Sequence, residues 1–138
     1  MKKSISIALV LCVLLSLSIP AVSANGIISI VPYYTYISSM RAELVISALG
    51  IATCEGKISS YNASASTGKV VVTLQKKDGT WQDVKSWTTT GSALNTVGSD
   101  LYVVSRGYYY RVHVTGTIYN SSGTALETDT LTSKEVWY

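Results

Sequence analysis

The chain contains no phenylalanine, a single histidine, two cysteines and two prolines among its 138 residues. A mechanism that pairs a histidine with a cysteine or a serine would have to use His113, and so few candidate ligands cannot supply the three or four that zinc requires. No phosphate-binding glycine loop and no G-x-S-x-G element is present. The sequence therefore predicts no catalytic residue, no metal site and no cofactor.

The first 24 residues have the layout of a secretory signal peptide. Two lysines precede an apolar run from Ile5 to Ile19, and small side chains at Val22 and Ala24 form a cleavage site. An apolar run of about fifteen residues is shorter than the roughly 20 that span a bilayer. We expect a mature domain of residues 25–138 that is secreted, with a location in the medium or at the cell envelope and with no transmembrane anchor.

Charge gives no sign of a nucleic-acid partner. The formal net charge is +3, and two of the eleven basic residues, Lys2 and Lys3, belong to the signal segment. Basic and acidic residues nearly balance in the rest of the chain, which lacks the basic stripe that a polyphosphate backbone requires.

Period-2 alternation dominates the mature segment, and turn residues recur between the alternating runs. This pattern predicts an all-β chain folded as one antiparallel β-sandwich domain of about seven strands. The predicted strands are Ile27–Ile30 with Tyr34–Ile37, Ala42–Ser47, Ile51–Ser59, Lys69–Lys77, Trp81–Thr88, Leu101–Val104 with Gly107–Tyr119, and Ala125–Val136.

The sharpest turn signal is the Asp78-Gly79 pair. Asp-Gly between two strands favours a type I′ hairpin, in which both central residues adopt positive φ. A two-residue loop would place Trp81 and Trp87 on the face of Val72, whereas a β-bulge would swap faces, and the sequence leaves this register open.

The segment Gly107-Tyr108-Tyr109-Tyr110-Arg111-Val112 resembles strand F of an immunoglobulin-like sandwich, in which a tyrosine forms a corner two residues before a cysteine. Cys54 resembles the strand B cysteine, and Val112 stands where its disulfide partner would be. The segments Ala52–Ile58 and Leu74–Trp81 are similar to those of small secreted immunoglobulin-like proteins of Gram-positive bacteria. The resemblance implies an immunoglobulin-like sandwich, and it implies no activity because those proteins are uncharacterised.

Alternation separates the residues that could carry chemistry. Cys54 is predicted to be a buried core thiol, whereas His113 is predicted to point outward from a strand of the other sheet, so a catalytic dyad is not expected. Glu127 and Asp129 share one face of the last strand, where they could serve hydrolysis or calcium binding, or simply be a solvated face.

Aromatic residues are the remaining candidates. Tyrosine and tryptophan contact protein partners well and stack on sugar rings. The predicted ligand contacts are Tyr33, Tyr34, Tyr109 and Tyr138, and the predicted core aromatics are Tyr108, Tyr110, Trp81 and Trp87.

These observations favour a secreted, non-enzymatic binding or adhesion module whose partner is a protein or an envelope glycan. The alternative is a structural or self-associating envelope component, and a secreted enzyme and a bacteriocin-like effector remain further alternatives. The sequence leaves the ligand and the oligomeric state open.

Overall fold

The computed structural model describes residues 24–30 and 34–138, which form nine β-strands and no helix. The strands are β1 (Ala24–Ile30), β2 (Ser39–Ile46), β3 (Ile51–Ser59), β4 (Thr67–Asp78), β5 (Thr80–Ser92), β6 (Thr96–Val103), β7 (Tyr109–Tyr119), β8 (Ala125–Thr132) and β9 (Val136–Trp137). The all-β prediction is confirmed. The predicted signal segment up to residue 23 and the candidate contact residue Tyr33 lie outside the described residues.

The strands form two antiparallel sheets. Sheet A has the order β1-β2-β3-β6, and sheet B has the order β5-β4-β7-β8 with β9 also paired to β7. Because β4 and β5 lie between β3 and β6 in sequence, the chain crosses from one sheet to the other and back.

The core lies between the sheets and follows the alternation of the sequence. Sheet A contributes Leu44, Cys54 and Ile58, and sheet B contributes Val72 and Val112, all of them essentially inaccessible to solvent. Side chains at alternate positions of a strand share one face, so the intervening residues of each strand point outward.

The described residues form nine strands and not about seven. The predicted run through Leu101 and Tyr119 is two strands in different sheets, β6 and β7, because the chain leaves sheet A after Val103. The predicted last strand is divided at Ser133, whose hydroxyl accepts a hydrogen bond from the Val112 amide at 2.9 Å.

The predicted strand over Tyr34–Ile37 is an irregular segment. Its backbone is held by a side chain, because the Glu127 carboxylate accepts hydrogen bonds from the amides of Tyr36 and Ile37, each at 2.7 Å. These amides are satisfied without a neighbouring strand.

The β4–β5 hairpin turns where the sequence predicts, but the turn is not type I′. Asp78 pairs with Thr80, and Gly79 is the one residue of this turn that has a positive φ, 69°. A β-bulge then places the extra residue Val84 opposite the Leu74–Gln75 step. As a result Trp87 pairs with Val72 on the inner face, whereas Trp81 pairs with Lys77 on the outer face.

Tyr110 closes one end of the sheets. Its hydroxyl donates to the Ser105 carbonyl at 2.8 Å and accepts from the Ser105 amide at 3.2 Å. The β6–β7 connection is thereby tied to the start of β7.

Among the described residues, no helix has the length and apolarity needed to cross a membrane.

Candidate functional site

The outer face of sheet B carries a set of convergent aromatic and polar groups. It begins at Tyr109, which precedes the inward-facing Tyr110 and therefore points outward, with 43% of its surface exposed. Its partner across the β7–β9 pair is Trp137, which is 56% exposed. The two ring centroids are 4.9 Å apart and the rings meet at 63°, an edge-to-face contact.

Trp81 joins the same face, which corrects its predicted core position. It lies directly opposite Lys77, and Lys77 lies directly opposite Tyr109. Directly paired residues of adjacent strands project to one side of a sheet. We call the four residues Trp81, Lys77, Tyr109 and Trp137 the aromatic row; because neighbouring strands are about 4.8 Å apart, its two outer strands enclose roughly 14 Å.

A second row of planar polar groups lies beside the aromatic row. Arg111 Nε donates to Gln75 Oε1 at 2.8 Å, and Gln75 Nε2 donates to Asp83 Oδ1 at 2.8 Å. We call Asp83, Gln75 and Arg111 the polar row. Residues two apart along a strand are about 7 Å apart, so a ligand lying across the aromatic row would reach the polar row with its substituents.

The two rows meet at Trp81. The Arg111 guanidinium carbon lies 4.0 Å from the Trp81 ring centre, and the Lys77 ammonium lies 5.6 Å from it. The ion pairs between described residues are Arg41–Glu43 and Lys76–Asp78, so within the described chain neither cation at Trp81 has a carboxylate partner.

Tyr34 and Tyr138, two other predicted contact tyrosines, are not part of this surface. Tyr34 is half-buried and packs against the core. Tyr138 is also half-buried, with its hydroxyl bonded to the Ala48 carbonyl at 3.2 Å and its ring under the Arg106 guanidinium at 4.6 Å. Tyr138 thus connects two loops.

Tyr108, Tyr110 and Trp87 occupy positions at or against the core, as predicted. The sequence did not indicate that Trp81 faces outward, because its orientation relative to Trp87 depends on a β-bulge that no residue pattern predicts. Trp137 was not predicted as a contact residue either. Val136 beside it is buried, and alternation along the strand therefore places Trp137 on the outer face.

Cys54 and His113 are not brought together. Cys54 lies in the core on β3, and burial together with the nearby Asp100 carboxylate raises the pKa of its thiol from 9.0 to about 12. His113 lies outward on β7 in the other sheet, with Nδ1 2.9 Å from the Thr132 hydroxyl. A protonated, buried thiol remote from the imidazole is a poor nucleophile.

Glu127 and Asp129 share a face of β8, and the face is the inward one. They pair with Ile118 and Gly116, which line the core side of β7. With the Glu127 carboxylate engaged by two backbone amides, this pair does not form a solvated acidic face. The described residues also contain no cluster of three or more potential metal-ligating side chains.

A cavity of about 220 Å³ lies between the sheets beside Tyr110. Two of its polar groups have partners: the Tyr110 hydroxyl bonds Ser105, and the Lys76 ammonium lies 3.5 Å from Asp78 and 4.3 Å from the Tyr108 ring centre. On the outer face of sheet B, by contrast, neither Lys77 nor Arg111 has a carboxylate partner among the described residues, which makes that face the stronger candidate.

No known protein family matches the chain, and no match was found among curated proteins or among solved structures.

Proposed function

We propose that the chain is a secreted, non-enzymatic binding module that holds a saccharide chain of the cell envelope on the outer face of sheet B. The aromatic row carries the proposal, because it places exposed rings on neighbouring strands beside a row of planar hydrogen-bonding groups. Apolar ring faces next to a few fixed polar groups are the usual composition of a site for a polar ligand.

The proposal includes an immunoglobulin-like arrangement of the strands. If the Cys54 strand β3 is taken as B and the Tyr110 strand β7 as F, chain order makes β2, β4, β5, β6 and β8 the strands A, C, C′, E and G. The pairs A–B, B–E, C–F and F–G of that fold then correspond to pairs in sheets A and B. The Tyr110 hydroxyl bonded to Ser105 supports the same assignment, as do the resemblances to small secreted Gram-positive proteins.

The binding test uses purified Gram-positive cell walls and two variants, Trp137→Ala and Tyr109→Ala. Each should weaken binding about tenfold, the usual size of the loss when an aromatic anchor is truncated. Tyr61→Ala is the matched control, because Tyr61 is 78% exposed and lies in the β3–β4 loop, at the opposite end of β4 from Lys77. Circular dichroism of each variant verifies folding, and unchanged binding by both row variants would refute the proposed site.

Self-association is the second candidate function, favoured by an apolar patch on sheet A. Ile51 and Val103 form a pair on its outer face, and Val103 and Leu101 are 74% and 60% exposed. Large exposed apolar patches mark interaction sites. If this patch joins copies, the size measured by light scattering will rise with concentration and Leu101→Lys will abolish the rise; a monomer at every concentration excludes it.

A further inference from the structure

Two positive side chains converge on one ring of the proposed binding face. Arg111 and Lys77 both lie within 5.6 Å of the Trp81 ring centre. Like charges this close repel one another, and the aromatic ring between them offsets that repulsion only in part. An anion bound between Arg111 and Lys77 would offset this repulsion by attracting both positive charges.

Arg111 is held in a fixed position. Its Nε is bonded to Gln75 and its guanidinium lies over the Trp81 ring, so the two terminal amino groups are the donors left for a ligand. Asp83, the nearest carboxylate of the polar row, is bonded to the Gln75 amide. A guanidinium held in this way donates two parallel hydrogen bonds to a carboxylate or phosphate at little entropic cost.

The excess of positive charge belongs to sheet B alone. Its described outward-facing charges are Lys69, Lys77 and Arg111 against Asp83. On the outer face of sheet A, Arg41 and Lys57 are balanced by Glu43 and Glu55.

We propose that the saccharide bound by sheet B is anionic, with its carboxylate or phosphate groups held by Arg111 and Lys77. This inference rests on the proposed function and names the class of its ligand. Trp81 lies on one side of Lys77, and Tyr109 with Trp137 on the other. Rings on both sides of the cations suit a polymer in which charged groups alternate with sugar or polyol faces.

The test compares four probes: polygalacturonate for the carboxylate, poly(glycerol phosphate) for the phosphate, dextran as a neutral polysaccharide, and single-stranded DNA as a polyanion of another class. Binding is measured by isothermal titration. We expect binding of one or both of the first two and none of dextran. Raising the NaCl concentration from about 0.01 M to about 0.15 M should weaken binding, because the Debye length falls from about 30 Å to about 8 Å.

Three substitutions locate the effect. Arg111→Gln should weaken binding of the anionic polymer about tenfold or more, as expected for the loss of charge-assisted hydrogen bonds. Lys77→Gln, at an exposed residue where folding is not at stake, should weaken it about threefold to tenfold. Lys57→Gln removes the same charge from the opposite sheet and should leave binding unchanged.

Each other outcome overturns the inference in a distinct way. Equal binding of dextran and polygalacturonate, with Lys77→Gln unaffected, means that the ligand is neutral and leaves the proposed function intact. Binding of DNA that is as tight, and that Trp137→Ala does not weaken, means general polyanion binding without sugar recognition. If none of the probes and no cell wall is bound, the proposed function falls together with the inference.

Discussion

A single residue, Tyr110, holds the β6–β7 connection at one end of this fold through hydrogen bonds made by its own side chain. The Tyr110 hydroxyl serves both the amide and the carbonyl of Ser105, while its ring fills the core. Burial raises the pKa of this phenol. A neutral hydroxyl can donate and accept at once, which is what the Ser105 backbone requires.

Tyr110→Phe should lower the free energy of unfolding by about 1 to 3 kcal/mol, because it leaves backbone polar groups of Ser105 without their partner. Tyr108→Phe is the control, since none of the described hydrogen bonds uses the Tyr108 hydroxyl, and its effect should be small. Urea denaturation measures both. Equal losses in the two variants would mean that the Tyr110 hydrogen bonds contribute nothing specific.

Cys54 should remain unlabelled by thiol reagents in the native state and react once the protein is unfolded.

The unfolded thiol of Cys54 loses its proton near pH 9.0 and the folded thiol near pH 12, so its contribution to stability is complete below pH 9.0 and is lost as the pH rises toward 12. Between pH 9 and pH 12, the free energy of unfolding measured by denaturant titration should decrease less with pH for Cys54→Ala than for the unaltered protein. Parallel curves would contradict the raised pKa.

At the scale of elements, glycines set how closely the two sheets approach. A Cβ built at Gly56 would lie 2.8 Å from a Val72 methyl and 2.9 Å from Val114, in the opposite sheet. Close approach of a strand backbone is one of the reasons for glycine inside a strand. The sheets could not keep this separation with a larger side chain there.

Gly56→Ala should therefore cost about 1 to 3 kcal/mol of stability through overpacking. Gly91→Ala is the matched change, because its Cβ would meet the Thr96 hydroxyl no closer than 3.3 Å. Thermal unfolding of the two variants compares them, and a Gly56→Ala protein as stable as Gly91→Ala would show that the sheets adjust freely.

Elements also divide what the sequence could predict from what it could not. Alternation was enough to predict a strand over Lys69–Lys77, and Asp78-Gly79 was enough to locate the hairpin. The orientation of Trp81 was beyond local reasoning because one extra residue, Val84, changes which side of the sheet the end of the strand presents. The irregular segment before β2 depends on Glu127, which is about 90 residues away in the chain. Such long-range contacts leave no periodic signal.

On the scale of the whole molecule, the last two residues have separate tasks. Tyr138 ties together the β2–β3 and β6–β7 connections, because its backbone carbonyl accepts from Gly107 at 2.6 Å and its hydroxyl donates to Ala48. Trp137 faces solvent in the aromatic row. The segment from Val136 to Tyr138 therefore contributes both to closure of the sheets and to the proposed binding face.

Tyr138→Ala should lower the melting temperature, since it removes a packed ring and a hydrogen bond worth together about 2 to 4 kcal/mol. Trp137→Ala should change stability by less than about 1 kcal/mol, because most of its side chain is exposed, while it weakens ligand binding. Calorimetry and binding measurements on both variants should therefore show that Tyr138→Ala mainly lowers stability, whereas Trp137→Ala mainly weakens ligand binding. Equal loss of stability in the two would show that Trp137 has the same structural role as Tyr138.

The shortness of β9 has a dynamic consequence. Two residues paired at the margin of a sheet open far more often than the long central strands, and hydrogen exchange at such a margin occurs by local fraying. Each opening would carry Trp137 away from Tyr109 and dismantle the aromatic row while the rest of the sheets stayed closed. A bound ligand would keep the strand paired, so protection of the Tyr138 amide, which donates to the Tyr108 carbonyl at 3.1 Å, would report occupancy of the face before any change in global unfolding.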